Sequence, residues 1–330
     1  MPPSPLPTSS PDALRNFVAG REQLRSYLTS GSGVLLQQAK QSFCAAATFD
    51  PRFQLAIFYR SLVEAELREA DAAIIGFEEL LKGRTEFRTE VLLQLAYAHI
   101  KRYQDEDYFK AEGFLADARQ AAQEHGRRDL LVLADALRVF LYSVMGGRLS
   151  VENRRPYYLE EAVKLGEGLL VNKWEIASRD EARFEVLNGL GIAYMRKGQM
   201  ADSPRRDFWT TAEARFNEAL ELRPTSVRAM QNMGLLKGMQ AFQARSDADE
   251  PEAQALFRTA KNWYAKSLGL NPNDGYPHYR MVQICALTDD WEGAQRYLSS
   301  GRQQSGAVYE REWSKLQAAI NNRDASAITW

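Results

Sequence analysis

Residues 208–224 read FWTTAEARFNEALELRP, and their pattern decides the fold. Apolar residues recur every three or four positions, at Trp209, Ala212, Phe216 and Ala219, which is one stripe of an α-helix. Charged and polar residues take the other side. Pro224, which has no amide hydrogen to donate, stops the helix. The same spacing returns as Ala39, Phe43, Ala46, Pro51 and as Ala260, Tyr264, Ser267, Pro272. Copies without the proline start at Ala73, Ala111, Ala162 and Ala294. Small residues let two helices approach, and the large residue fills the groove between them. Alternating strand-like runs and Asn-Gly hairpin turns are missing, so the expected fold class is all-α.

A second signature precedes each of these helices. Leu187-x2-Leu190-Gly191-x2-Tyr194 is the clearest, followed by Met230-x2-Met233-Gly234 and His278-x2-Met281-Val282-x2-Cys285. Gly191, Gly234 and Ala212 are expected at close helix–helix contacts. Together the two signatures resemble the tetratricopeptide repeat family over residues 33–303, as about seven repeats. That resemblance implies a right-handed α-α superhelix. Its expected domain layout is a Pro/Ser-rich leader at 1–10, a helical array at 11–303, and a capping helix and tail at 304–330. Five of the 12 prolines lie in the first eleven residues, and Ser10-Pro11-Asp12 has the composition of a helix start.

The spacings between successive anchor alanines are 34, 38, 51, 50, 48 and 34. The middle repeats therefore carry extra residues. Two turns added to each helix would absorb them, about 10 Å of height at 1.5 Å per residue.

Composition narrows the function. The chain has 330 residues and a net charge of −1, without the basic footprint that nucleic-acid binding needs. Its only cysteines, Cys44 and Cys285, cannot make a disulfide scaffold and fit a reducing, cytoplasmic setting. The most apolar run, from Leu130, is interrupted by Asp135 and Arg138, so no membrane insertion is expected. The three histidines are isolated, and adjacent acids such as Glu160-Glu161 diverge by about 100° on a helix. No metal, cofactor or catalytic group is expected, and the chain is read as a non-enzyme.

The family resemblance implies that fixed first-helix positions line a concave groove that holds a protein or peptide partner. Counted on this chain, they include Tyr97, Asp135, Arg138, Asn188, Arg228, Gln231, Tyr279 and Gln283. The expected function is an interaction scaffold or adaptor. The alternative is a peptide- or ligand-gated regulator whose superhelix changes pitch. A second expected surface is one edge of the array, where Arg148, Arg154, Arg155, Arg205 and Arg206 form a basic block beside Phe208 and Trp209. Acidic turns at 105–107 and 247–252 flank it. This block is expected to dock an acidic partner surface or a second copy of the chain.

Overall fold

The computed structural model describes residues 8–83, 85–171, 179–200, 205–305 and 310–328. These residues hold fifteen α-helices and no strand. The first eight are α1 (Pro11–Ser30), α2 (Gly33–Phe49), α3 (Gln54–Glu66), α4 (Ala70–Lys82), α5 (Arg88–Arg102), α6 (Asp105–Glu124), α7 (Arg128–Arg148) and α8 (Arg155–Val171). Then come α9 (Arg179–Met200), α10 (Arg205–Leu222), α11 (Val227–Ser246), α12 (Glu250–Leu270), α13 (Gly275–Leu287), α14 (Trp291–Ser305) and α15 (Glu310–Asn322). Residues 1–7 of the expected leader lie outside the described residues. Ser10 accepts a hydrogen bond from the Ala13 amide at 3.2 Å and so caps α1.

Helices pair as the two signatures require. The anchor residues Ala39, Phe43 and Ala46, Ala212, Phe216 and Ala219, and Ala260, Tyr264 and Ser267 have no exposed surface. Each aromatic ring lies over a glycine of the preceding helix. A Cβ at Gly20 would stand 2.8 Å from Phe43, one at Gly234 would stand 2.8 Å from Tyr264, and one at Gly191 would overlap Phe216. The expected close contacts at Gly191 and Gly234 are thus present, Ala212 is fully buried, and Gly20 adds a contact the sequence did not flag.

The turns inside the pairs share a feature that composition hides. Gly31, Arg68, Tyr103, Ala248 and Asp289 all have positive φ, between 58° and 71°, and each sits between the first and second helix of a pair. A left-handed residue at this point ends the first helix and turns the chain back. Only one of the five is glycine, the residue that adopts this conformation without strain.

Helix length follows the anchor spacing. α3, α4 and α13 have 13 residues each, whereas α7, α9, α11 and α12 have 20 to 22. The difference is about two turns, roughly 10 Å.

Where the sequence suggests one continuous array, the chain divides into two compact units at Arg223–Pro224, with Gly31–Gly33 counted in the second. In the first unit α7 packs against α5, α6, α8 and α9. α7 is long and apolar enough to cross a membrane by length and composition, yet most of it is buried inside this unit. In the second unit α15 closes the stack, with Trp313 fully buried against Gly301 and the Tyr279 ring.

Candidate functional site

Four of the expected groove residues are interior. Tyr97 is 6% exposed, its ring 6.2 Å from that of Phe140 on α7. Asn188 is fully buried in α9. Gln231 donates from Nε2 to Ser267 Oγ at 3.1 Å and to Asp274 Oδ2 at 2.7 Å, joining α11, α12 and the N-cap of α13. Gln283, 1% exposed, accepts from Arg280 Nη1 at 3.0 Å and donates to Tyr279 OH at 3.3 Å. The Gln231 amide thus ties neighbouring helices together, whereas both Gln283 bonds stay within α13. The physical reason is that first helices here pack directly on one another: a Cβ at Gly189 would lie 3.1 Å from the Phe140 backbone nitrogen. Tyr279 is half-buried under α15, with Trp313 5.7 Å away, and Arg228 is half-exposed at the start of α11.

Asp135 and Arg138 stay accessible, but they face second helices. Ala136, Val139, Phe140 and Ser143 give α7 its buried side. The opposite stripe, Arg128, Leu131, Asp135 and Arg138, opens between α6 and α8. Arg119 of α6 donates to Asp135 at 3.1 Å, and Tyr142 of α7 donates to Glu112 of α6 at 2.7 Å.

The edge block is also partly spent. Trp209 is 5% exposed and donates from Nε1 to the Met195 carbonyl at 3.1 Å, so it is not part of an exposed patch. α9 and α10 lengthened together, and the extra turns bury each other. Phe208 is half-buried, beneath Lys197 and 6.5 Å from the Tyr194 ring. The Arg148 guanidinium lies 4.5 Å from the Tyr103 ring centroid. Arg155 donates to the Leu149 carbonyl at 2.8 Å and to Glu152 at 3.2 Å. Arg154 and Arg206 are exposed, and the Arg205 side chain lies outside the described residues. Of the acidic flank, Asp107 is buried 2.8 Å from His99 Nδ1.

What the structure assembles instead is an outer cleft of about 350 Å³ over α7, lined by Arg138, Tyr142, Glu161, Lys164, Leu165 and Leu169 together with Gly168. Its openness has a definite cause, seen by comparison with the next cleft along. Between α8 and α10, Glu167 accepts from Tyr194 OH at 3.0 Å and from Arg215 Nη2 at 3.0 and 2.9 Å, so an arginine bridges the second helices. Burial and the Glu167 carboxylate push the Tyr194 phenol up to about 12. Arg215 stands three residues after anchor Ala212. Three residues after anchor Ala162 stands Leu165, which is too short and apolar to bridge. Tyr142 and Glu112 repeat the tyrosine–glutamate bond, and burial followed by that bond raises the Tyr142 phenol. On α8 the Tyr158 ring lies 5.7 Å from the Tyr142 ring.

Arg138 is the central charge of the cleft, about one-third exposed. Its Nη2 donates to the neutral Tyr142 hydroxyl at 3.0 Å, and its Nη1 stands 3.8 Å from Asp135, beyond hydrogen-bonding distance. The sequence named Arg138 for a different face and missed Tyr142, Glu161, Lys164, Leu165 and Leu169. The signal that could have found them is the leucine standing where the next repeat has an arginine.

Several other titratable groups have structural partners. Arg102 joins Asp107 and Asp71 at 3.5 and 2.9 Å beside His99. His278 Nε2 is 3.1 Å from the Pro272 carbonyl. Lys261 is paired with Asp290 at 3.2 Å, and burial pushes the Cys285 thiol beside them up to about 11, which keeps it protonated and unreactive at neutral pH. Among the described residues no group of His, Cys, Asp and Glu is arranged to hold a metal.

No protein-family model and no curated protein matches the sequence. Among solved structures, the TPR2AB domain of yeast Sti1 in its pHSP90 complex aligns with 94% of this chain and 98% of its own. The identity is 14% and the TM-score 0.32.

Proposed function

We propose that this chain is a non-enzymatic interaction scaffold that holds a peptide segment of a protein partner on its helical surface. The binding place is the outer cleft over α7 rather than a trough lined by first helices. The observation that carries this reading is the contrast between neighbouring clefts. One is bridged by Arg215 and Glu167, and the other leaves an apolar floor and an arginine facing solvent. An apolar pocket with a few convergent polar groups is the usual form of a recognition site. Burial of Asn188, Gln231 and Gln283 removes the amides that a first-helix trough would have offered.

The test is site-specific photocrosslinking in the native cell. A benzoylphenylalanine at Gly168, where an added Cβ meets nothing within 4 Å, samples the cleft, and one at Arg128 samples the outer end of the same stripe. The expected result is a discrete adduct with another protein, identified by mass spectrometry. Finding only self-adducts at both positions overturns the scaffold reading.

A further inference from the structure

We infer that the segment seated in this cleft is acidic: a carboxylate takes the Arg138 guanidinium, and an adjacent aliphatic side chain lies on Leu165 and Leu169. The inference rests on the scaffold reading and adds the chemistry of the partner. It begins from donor bookkeeping. A guanidinium carries five N–H donors, and Arg138 uses one of them, on a neutral hydroxyl. The carboxylates around it are already engaged, Glu112 by Tyr142 and Asp135 by Arg119. Arg215 shows what an arginine in such a cleft does when acids are available, making three charge-assisted bonds to Glu167 and Glu218. Arg138 makes no such bond to an acid, its ion-pair partner Asp135 standing 3.8 Å away, and the cleft leaves room for an acid to enter.

The walls favour the same sign. Two cations, Arg138 and Lys164, line the cleft against one acid, Glu161, which stands 3.9 Å from Lys164. A fork-shaped guanidinium beside an ammonium selects a planar carboxylate, which it can bind through two parallel bonds. Leu165, Leu169 and the ring of Tyr142 supply an apolar floor for one aliphatic side chain next to that acid.

The experiment probes the full-length protein with an array of N-acetylated hexapeptides. A Leu-Glu pair is moved through a Gly/Ser background, beside matched Leu-Gln and Leu-Lys sets. Leu-Glu peptides should bind at least about tenfold more tightly than Leu-Gln ones, the worth of a charge-assisted hydrogen bond. In solution, by fluorescence anisotropy with the best Leu-Glu peptide, Arg138→Gln should lose about tenfold in affinity. Arg138→Lys, which keeps the charge and loses the fork, should fall between. Circular dichroism and the melting temperature check that each variant is folded. Should Arg138→Gln not fold, Leu165→Asp places a competing carboxylate in the cleft and should abolish peptide binding. Equal binding of Leu-Gln or Leu-Lys peptides, or binding that survives Arg138→Gln or Leu165→Asp, overturns the inference. An array with no binding, alongside protein adducts in the crosslinking experiment, would overturn the acidic-segment inference and leave the scaffold reading standing.

Discussion

Ala248 closes the turn between α11 and α12 with a φ of +62°, a left-handed conformation in which its Cβ crowds the backbone. Ala248→Gly relieves that crowding and should stabilise the protein by up to about 1 kcal/mol, read as a higher urea midpoint. No change would mean that the unfolded chain's gain in freedom offsets the relief. Glu64 poses the opposite problem. It is 6% exposed, one carboxylate oxygen has no hydrogen-bond donor, and Arg60 Nε stands 3.8 Å from the other. Burial raises its pKa, against the opposing pull of Arg60 and Lys40. A raised carboxyl pKa favours folding while the group is protonated, and that contribution is lost as pH rises through the folded value. Glu64→Gln should therefore be more stable than the wild type at pH 7, with the gap narrowing as pH falls through the raised folded value and closing below the ordinary glutamate value near pH ~4.3. Urea titrations at pH 7 and pH 4 check the sign, and a gap independent of pH would exclude burial as the cause. At the anchor positions the sign is simpler. Ala212→Leu forces three added carbons into a site with no exposed surface and should cost roughly 1–3 kcal/mol.

At the scale of helices, pairing was legible because it rests on size alone. An alanine, a ring four residues on and a glycine on the preceding helix specify one contact, and Gly234 with Tyr264 is where the sequence put it. Helix lengths were legible for the same reason, since much of the added spacing between anchors went into added turns of α7, α9, α11 and α12. The facing of each stripe was not. A polar residue on a first helix can look into a trough, into a neighbouring first helix or out between second helices. The choice depends on how closely those helices approach. Asn188 went inward because α7 and α9 touch, and Arg138 went outward because Phe140 took the inner side. Trp209 went inward because α9 grew with α10. The bridge that separates the two clefts is testable at this scale. Arg215→Leu removes the bidentate link between α8 and α10, whose side chains are 24% and 32% exposed, and should cost about 1 kcal/mol. A double-mutant cycle with Glu167→Gln isolates the pair. A coupling indistinguishable from zero would mean that packing, and not the ion pair, closes that cleft.

Over the whole molecule the two units keep separate cores, one collecting buried residues from Ala13 to Ala193 and the other from Ala241 to Ile328. Stability in such stacks is a sum of local terms and need not be lost in one step. Four of the six tryptophans follow Pro224, so fluorescence weights the second unit while far-ultraviolet circular dichroism weights both. Urea unfolding followed by the two signals should give midpoints that differ. Coincident curves, with calorimetric and van't Hoff enthalpies equal, would show one cooperative block instead.

The lengthened helices set a clock on isotope exchange. A helix leaves its first four amides without an intrahelical acceptor, so a 13-residue helix protects about nine and a 22-residue helix about eighteen. In deuterated buffer the middles of α9 and α11 exchange only when whole turns open on both sides, whereas α3, α4 and α13 lie within two turns of an end throughout. Deuterium should therefore enter the short helices first and reach the centres of the long ones last, so that helix length alone writes a gradient of lifetimes into each unit.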